Sequence, residues 1–384
     1  MKLHLLRIGV LICSLVQGAE HVYDWVVVGA GPAGLITVGI LLDLGIDKNT
    51  ILLVDPAFNV GRLGEKYGSI PANTKTKLFV EFINACSTFK SCNSAFIQAL
   101  YEYDPEKEYN LQIIIDPLQD ISNYICTLVH TRKGCIQALD FVEDNWSVVV
   151  NDEHCMARHV VLATGSHPRS LDYPVGTEVP LDIALNKELL AQWVTENDSI
   201  AVVGGAHSAV LVMKFLSELS IARVLNFYQK PLVFPIDNGV WTENLYEGLK
   251  GVAAQWAHDY LEKNWPDNLV RIFNTAASRK AWLPLCNKIV YAVGYDRNQL
   301  PVVNGSAALA YDSLSGKIGT RLFGIGIAFP EVHTYPTGAS TARIGLNSFM
   351  EYAQRVIPEW LVAKGDRTRM RLRAFEELFT IELL

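Results

Sequence analysis

None of the seven cysteines stands in a Cys-x-x-Cys pair. Its absence excludes a thiol relay of the kind that passes electrons from a cofactor to a disulfide. Zinc-type cysteine spacing is lacking too, and so is any run of basic residues. With a net charge of −7, nucleic acid is excluded as the main partner, because phosphate binding needs a basic face. No stretch reaches the roughly 18 apolar residues that a membrane span needs. Low-complexity linkers and short tandem repeats are missing. What is left is a globular composition, half hydrophobic and 19% charged over 384 residues. That length is enough for two domains, or one nested in another, around a sizeable core.

The first 19 residues read separately. Lys2 and Arg7 precede an apolar stretch from Ile8 to Val16, and Gly18 follows at a plausible cleavage site. This is the pattern of a signal peptide, so the mature chain is expected to be exported, with no integral span once the leader is gone. Six cysteines then remain, at 86, 92, 126, 135, 155 and 286. An even count permits disulfides, although a core of this size does not require them.

Residues 24–56 read as strand, tight turn, helix, strand. Trp25–Val28 is apolar and rich in β-branched residues, as a buried parallel strand should be. A helix is expected from Pro32 to Leu44, ending near Gly45, and a strand over Ile51–Val54. Between them, Gly29-Ala30-Gly31-Pro32-Ala33-Gly34 is a G-x-G-x-x-G in the right context. Gly29 allows the turn, Gly31 lets backbone approach a pyrophosphate, and Gly34 lets helix and strand pack closely. The helix start offers amide donors to the diphosphate. Asp55, 21 residues beyond Gly34, is placed to accept both ribose hydroxyls.

Residues 134–164 read as a β-meander with turns at Glu143–Asn145 and Asn151–Glu153, leading into a buried strand over His159–Ala163. A second strand–turn–helix–strand pattern follows at 199–229, with Gly204-Gly205-Ala206-His207-Ser208-Ala209 at its turn. Its amides, with Ser208, suit the phosphates of a nicotinamide dinucleotide. No acid ends the next strand and Lys230 follows, which favours NADPH over NADH. His207 reads as a surface residue at the helix start. Further strands are expected in 287–296 and 321–331, and a closing helix over 344–361.

Several of these stretches resemble known flavoproteins. Val161-Leu162-Ala163-Thr164-Gly165 looks like the A-T-G element of two-dinucleotide-binding flavoproteins, which implies FAD on the first turn, with Thr164 and Gly165 beneath it. Asp55, Gly61-Arg62-Leu63-Gly64 and Tyr67-x-Ser69-Ile70-x-x-Asn73-Thr74-Lys75 resemble the flavin-containing monooxygenases. The run at 203–209 looks like the V-G-G-G-Q-S-A of N-hydroxylating monooxygenases. The segments 287–296 and 323–331, with Gly326, are similar to elements of the same groups. Arg62 and Gly64 depart from the G-G-L-W of the first group, and its histidine signature between the two turns is missing.

The resemblance implies an α/β fold with two Rossmann-like domains, the NAD(P) domain inserted in the FAD domain. The expected division is 20–168, 169–286 and 287–384, with the middle segment binding NAD(P). It also implies that Arg62, Leu63 and Gly326 contact the cofactor, and that Asn73 hydrogen-bonds the flavin–oxygen adduct. A fixed, uncharged amide stabilises charge on oxygen without protonating it. Asn73 as the cap of a helix starting at Thr74 stands beside that reading. The expected reaction takes NADPH, molecular oxygen and a small molecule with a nucleophilic N or S, through a flavin hydroperoxide. A plain NAD(P)H oxidase or reductase, and an exported flavin-binding protein without turnover, are the alternatives.

Overall fold

The computed structural model describes residues 21–234, 248–334, 338 and 340–362. The leader expectation at 1–19 lies outside them. The chain begins with β1 (Val22–Val28), the helix Pro32–Asp43 and β2 (Ile51–Asp55). Further helices follow on the way to β3 (His130–Lys133), among them Gly61–Lys66, Thr76–Asn84 and Gln112–Leu128. Then come β4 (Ile136–Val142), β5 (Asn145–Val150) and β6 (Glu153–Leu162). The meander turns fall where the sequence puts them. Glu143 and Asp144 have φ of 48° and 66°, as do Asn151 and Asp152. Paired left-handed residues match the right-handed twist of the flanking strands.

The chain then crosses over. β7 (Ser166–Pro168) leads to a second sheet built from β8 (Thr177–Glu178), β9 (Ser199–Val203), β10 (Arg223–Tyr228), β11 (Leu269–Phe273) and β12 (Lys288–Tyr291). Its order is β11-β10-β9-β12-β8 and every pairing is parallel. β13 (Tyr295–Arg297) brings the chain back, pairing antiparallel with β7. The expected return at 287 therefore comes early. Residues 288–291 pair with β9 and β8 inside the second sheet, because Ile289–Tyr291 is a buried apolar run that needs cover on both faces.

β14 (Val302–Val303), β15 (Lys317–Gly319) and β16 (Leu322–Gly324) complete the first sheet. Its main path is β14-β4-β5-β6-β1-β2-β3, with β16 on β6 and β15 on β16. One side of β6 is shared: β5 pairs with residues 153–157 and β16 with 160–162. The helix Pro32–Asp43 is buried from Ala33 to Leu41 and has no polar face, so it must be covered all round. The sheet covers one side and the closing helix Leu346–Val362 packs on another. Trp360 pins that helix, stacking on Phe323 at 4.3 Å and donating its indole N–H to Ser315 O at 2.7 Å. An aromatic buried so completely contributes roughly 2–3 kcal/mol.

The six described cysteines form no disulfide with one another. Among the described residues no helix is long and apolar enough to cross a membrane.

Candidate functional site: two dinucleotide turns

At the first turn, Gly29 has φ of +108°, and a Cβ there would lie 2.3 Å from Ala163 O. Its N–H donates to Val54 O at 2.7 Å, so the turn is tied to β2 as it leaves β1. Gly34 is required by space. A Cβ on it would sit 1.7 Å from Gly29 O. Around Gly31, its chain neighbours aside, Val60 O is the one atom of the described residues within 4.0 Å of where a Cβ would be. That open side, at the start of a 12-residue helix, is where a diphosphate fits. Pro32 opens the helix and has no N–H to leave unpaired.

Thr164 and Gly165 continue from β6 at this turn. Thr164 Oγ1 is enclosed and makes no hydrogen bond with any described residue. A buried hydroxyl without a partner costs about 1–3 kcal/mol, and a bound cofactor would relieve it. Gly326 lies on the same helix start: at φ +79°, its Cβ would meet Ala33 Cβ at 2.5 Å. Leu63 packs against the core of the first sheet.

Asp55 is only 6% exposed. Its Oδ2 accepts from Ala30 N at 2.7 Å, and Oδ1 accepts from Ala57 N at 2.8 Å and Phe58 N at 2.7 Å. A carboxylate has about four acceptor sites. Three are committed to backbone, so the expectation of two ribose hydroxyls is reduced to one. The carboxylate also orders the next loop, where Phe58 and Val60 take left-handed φ of 57° and 61°.

The second turn repeats this frame. Gly204 has φ of +137°, and a Cβ there would lie 2.2 Å from Ala292 O. Its N–H donates to Phe227 O at 2.9 Å. Ala206 caps the 12-residue helix His207–Glu218, which places Ser208 in its first turn. Lys230 is exposed, and its carbonyl lies 3.5 Å from a Cβ on Gly205. His207 is half-buried rather than on the surface, and its Nδ1 is enclosed and makes no hydrogen bond with any described residue. Burial, then the Lys250 ammonium, hold its pKa below the usual value, so its neutral imidazole is favoured.

Arg62 does not stand free for a cofactor. Its guanidinium pairs with Asp182, which also accepts from Tyr67 OH at 2.9 Å. Tyr67 OH and Tyr295 OH are 3.1 Å apart. Burial raises the pKa of both phenols; for Tyr67 the Tyr295 hydroxyl and the Asp182 carboxylate add to it. Tyr67 and Ile70 pack into the core of the second sheet. The segment leading to Asn73 is thereby held between the two sheets.

Asn73 is exposed, and its Oδ1 accepts from Thr74 Oγ1 at 3.2 Å. It is not a helix cap. The helix begins at Thr76 after Lys75, with no side-chain cap, because Thr76 N bonds to Lys107 O instead.

A profile described as pyridine nucleotide-disulphide oxidoreductase matches residues 23–314. The chain belongs to that family. The oxidoreductase is 29% identical over 385 residues to monooxygenase AgnR1 of Paecilomyces divaricatus, covering 88% of this chain and 98% of the relative. Its fold resembles the flavin-containing monooxygenase of Stenotrophomonas maltophilia, at TM-score 0.59 and 15% identity over 88% of this chain and 98% of the other. The Lactococcus lactis thioredoxin reductase is similar at TM-score 0.54 and 12% identity, over 89% and 100% of the two chains. The oxidoreductase is thus a two-dinucleotide-binding flavoenzyme whose cofactors are FAD and NAD(P)H. Both turns fit that role, by the open side of Gly31 and the unpaired Thr164 hydroxyl in one and by the helix start with Ser208 in the other.

Sequence reasoning missed Asp182, Asn226 and Arg271. Asp182 belongs to a four-residue helix without a motif. Asn226 and Arg271 lie inside strands, where their roles depend on register.

Proposed function

We propose that the oxidoreductase is an NADPH-using monooxygenase acting on a nucleophilic N or S of a small molecule, with molecular oxygen as co-substrate. The observation that carries the reading is the match to a monooxygenase over 98% of that protein's length. The lack of a Cys-x-x-Cys pair supports it, because electrons delivered by NAD(P)H have no dithiol to leave through. When bound, FAD supplies hydride acceptance and oxygen activation. The chain's own part is to hold one dinucleotide at each turn and to keep the Tyr67–Asn73 segment fixed between the two sheets. Asn73 presents an amide that donates to developing charge on oxygen without protonating it. His207, kept neutral, adds no competing positive charge beside the second turn.

The test is stoichiometric. FAD-loaded enzyme is given NADPH and oxygen with a panel of amines and thioethers, and NADPH, peroxide and oxygenated product are counted. The expected result is product formed at the expense of peroxide with at least one substrate. In Asn73→Ala the peroxide share rises by roughly 10-fold or more. Peroxide equal to NADPH with every substrate would instead identify an oxidase.

The proposal includes the compartment and the domain division. Residues 1–19 direct export, and the mature N-terminus lies near residue 20; N-terminal sequencing that finds Met1 retained would refute this. The sequence division gives the nicotinamide domain residues 169–286; the pairing of residues 288–291 with the second sheet supports extending it to about 292.

A further inference from the structure

The two turns superpose in logic residue by residue. Gly29 N donates to Val54 O and Gly204 N to Phe227 O, so Asp55 and Tyr228 occupy equivalent positions, each at the end of the second strand. The first unit has a carboxylate there. The second has an aromatic ring with a cation over it: the Arg271 guanidinium lies 4.3 Å from the centre of Tyr228.

Arg271 sits on β11, opposite Asn226 on β10. Asn226 is completely buried, and its Nδ2 donates to Gly204 O at 2.7 Å and Val202 O at 3.1 Å. Its Oδ1 accepts from Arg271 Nε at 3.0 Å. One amide therefore ties the guanidinium to the carbonyl of the turn glycine. Arg271 Nη2 is enclosed and makes no hydrogen bond with any described residue. Among the described residues no carboxylate pairs with this side chain. Burial lowers its pKa, against the Tyr228 phenol.

A guanidinium taken out of water needs a compensating anion, and a neutral amide with a π face compensates only in part. Arg271 is held in that state beside a turn built for a dinucleotide. Where an acid at this position would repel a ribose 2′-phosphate, a fixed cation attracts it. We infer that Arg271, stacked on Tyr228 and fixed by Asn226, is the residue by which the second turn selects a 2′-phosphorylated dinucleotide. The inference rests on the NADPH part of the proposed function and is independent of oxygen insertion. Exposed Lys230 adds a flexible, solvated charge and is assigned the smaller share.

Binding, rather than turnover, tests it. Calorimetry on full-length FAD-loaded enzyme compares 2′,5′-ADP with 5′-ADP for wild type, Arg271→Gln, Arg271→Lys and Lys230→Gln. Wild type is expected to prefer 2′,5′-ADP by about 10-fold or more, the scale of one charge-assisted contact. Arg271→Gln removes most of the preference and weakens 2′,5′-ADP far more than 5′-ADP, whereas Lys230→Gln lowers the preference by only about twofold. Arg271→Lys keeps the charge but loses the planar fork, so a partial preference is expected even if the glutamine variant does not fold. If Arg271→Gln or Arg271→Lys keeps the full preference, the assignment to Arg271 fails while NADPH stands. Equal weakening of both ligands marks a purely structural role and overturns the inference. A wild type without preference overturns the inference and the NADPH reading together.

Discussion

At residue 34 of the first unit a glycine is compulsory, because a Cβ would fall 1.7 Å from Gly29 O. Five residues beyond Gly204, the second unit has Ala209 at the corresponding place, fully buried and accommodated. Gly31 in the first unit corresponds to Ala206 in the second, and Asp55 to Tyr228. Each first-unit choice removes side-chain volume from the turn or fixes a negative charge. Each second-unit choice leaves more side chain at the turn and admits a positive one. The same backbone frame thus carries a turn nearly free of side chains in one unit and a bulkier one in the other. The physical lever is the volume and sign of three side chains, not the strand order.

This contrast is broken most severely by Gly34→Ala. The methyl group has nowhere to go but into backbone, so a loss of about 3 kcal/mol or more is expected. The variant should purify with little bound flavin, measured as the ratio of visible to ultraviolet absorbance, and melt lower. A fully flavinylated variant with the wild-type melting temperature would show that the first turn has the slack of the second.

An intermediate effect belongs to the second unit alone. Asp198 lies just before β9 and is 5% exposed. It accepts from Lys288 Nζ at 2.7 Å, Asn287 Nδ2 at 2.6 Å and Thr195 N at 2.6 Å. Burial alone would raise its pKa, but these donors outweigh burial and hold it at about 2, below the 3.8 of a free carboxyl. A depressed folded value means stability present above pH 3.8 and lost as pH falls toward 2. The loss is on the order of 2 kcal/mol. Urea unfolding at pH 6 and pH 3 should show about half of it in wild type and none of it in Asp198→Asn, in which that acid sensitivity is absent. Equal acid sensitivity in the two proteins would reject the assignment.

The smallest effect is the reciprocal substitution, Ala209→Gly. It adds no clash and costs the helix preference for alanine plus one buried methyl, about 1–2 kcal/mol together. Flavin content should be unchanged, which sharpens the claim that the two positions differ in space rather than in helix propensity.

Much of this is legible in the sequence. The glycine turns, the meander, the closing helix and the nesting of one unit in another follow from local patterns of apolar residues and turn formers. Arg62 is legible as a candidate cofactor contact, but its commitment to Asp182, 120 residues away, is not. Asn73 is legible as an amide near a turn, but a carbonyl at Lys107 decides where the next helix starts.

Local sequence fixes dihedral preference and burial pattern, because these act over a few residues. It therefore determined two strand–turn–helix units, the order in which they come, and the absence of a dithiol. Register and packing decided the rest: that Asp55 spends its acceptors on backbone, that residues 288–291 join the second sheet, and that Arg271 lies over Tyr228 with Asn226 beneath the turn. Apart from the local bonds of Asp55 to Ala57 and Phe58, those outcomes join residues tens of positions apart, and only the folded chain brings them within reach of one another.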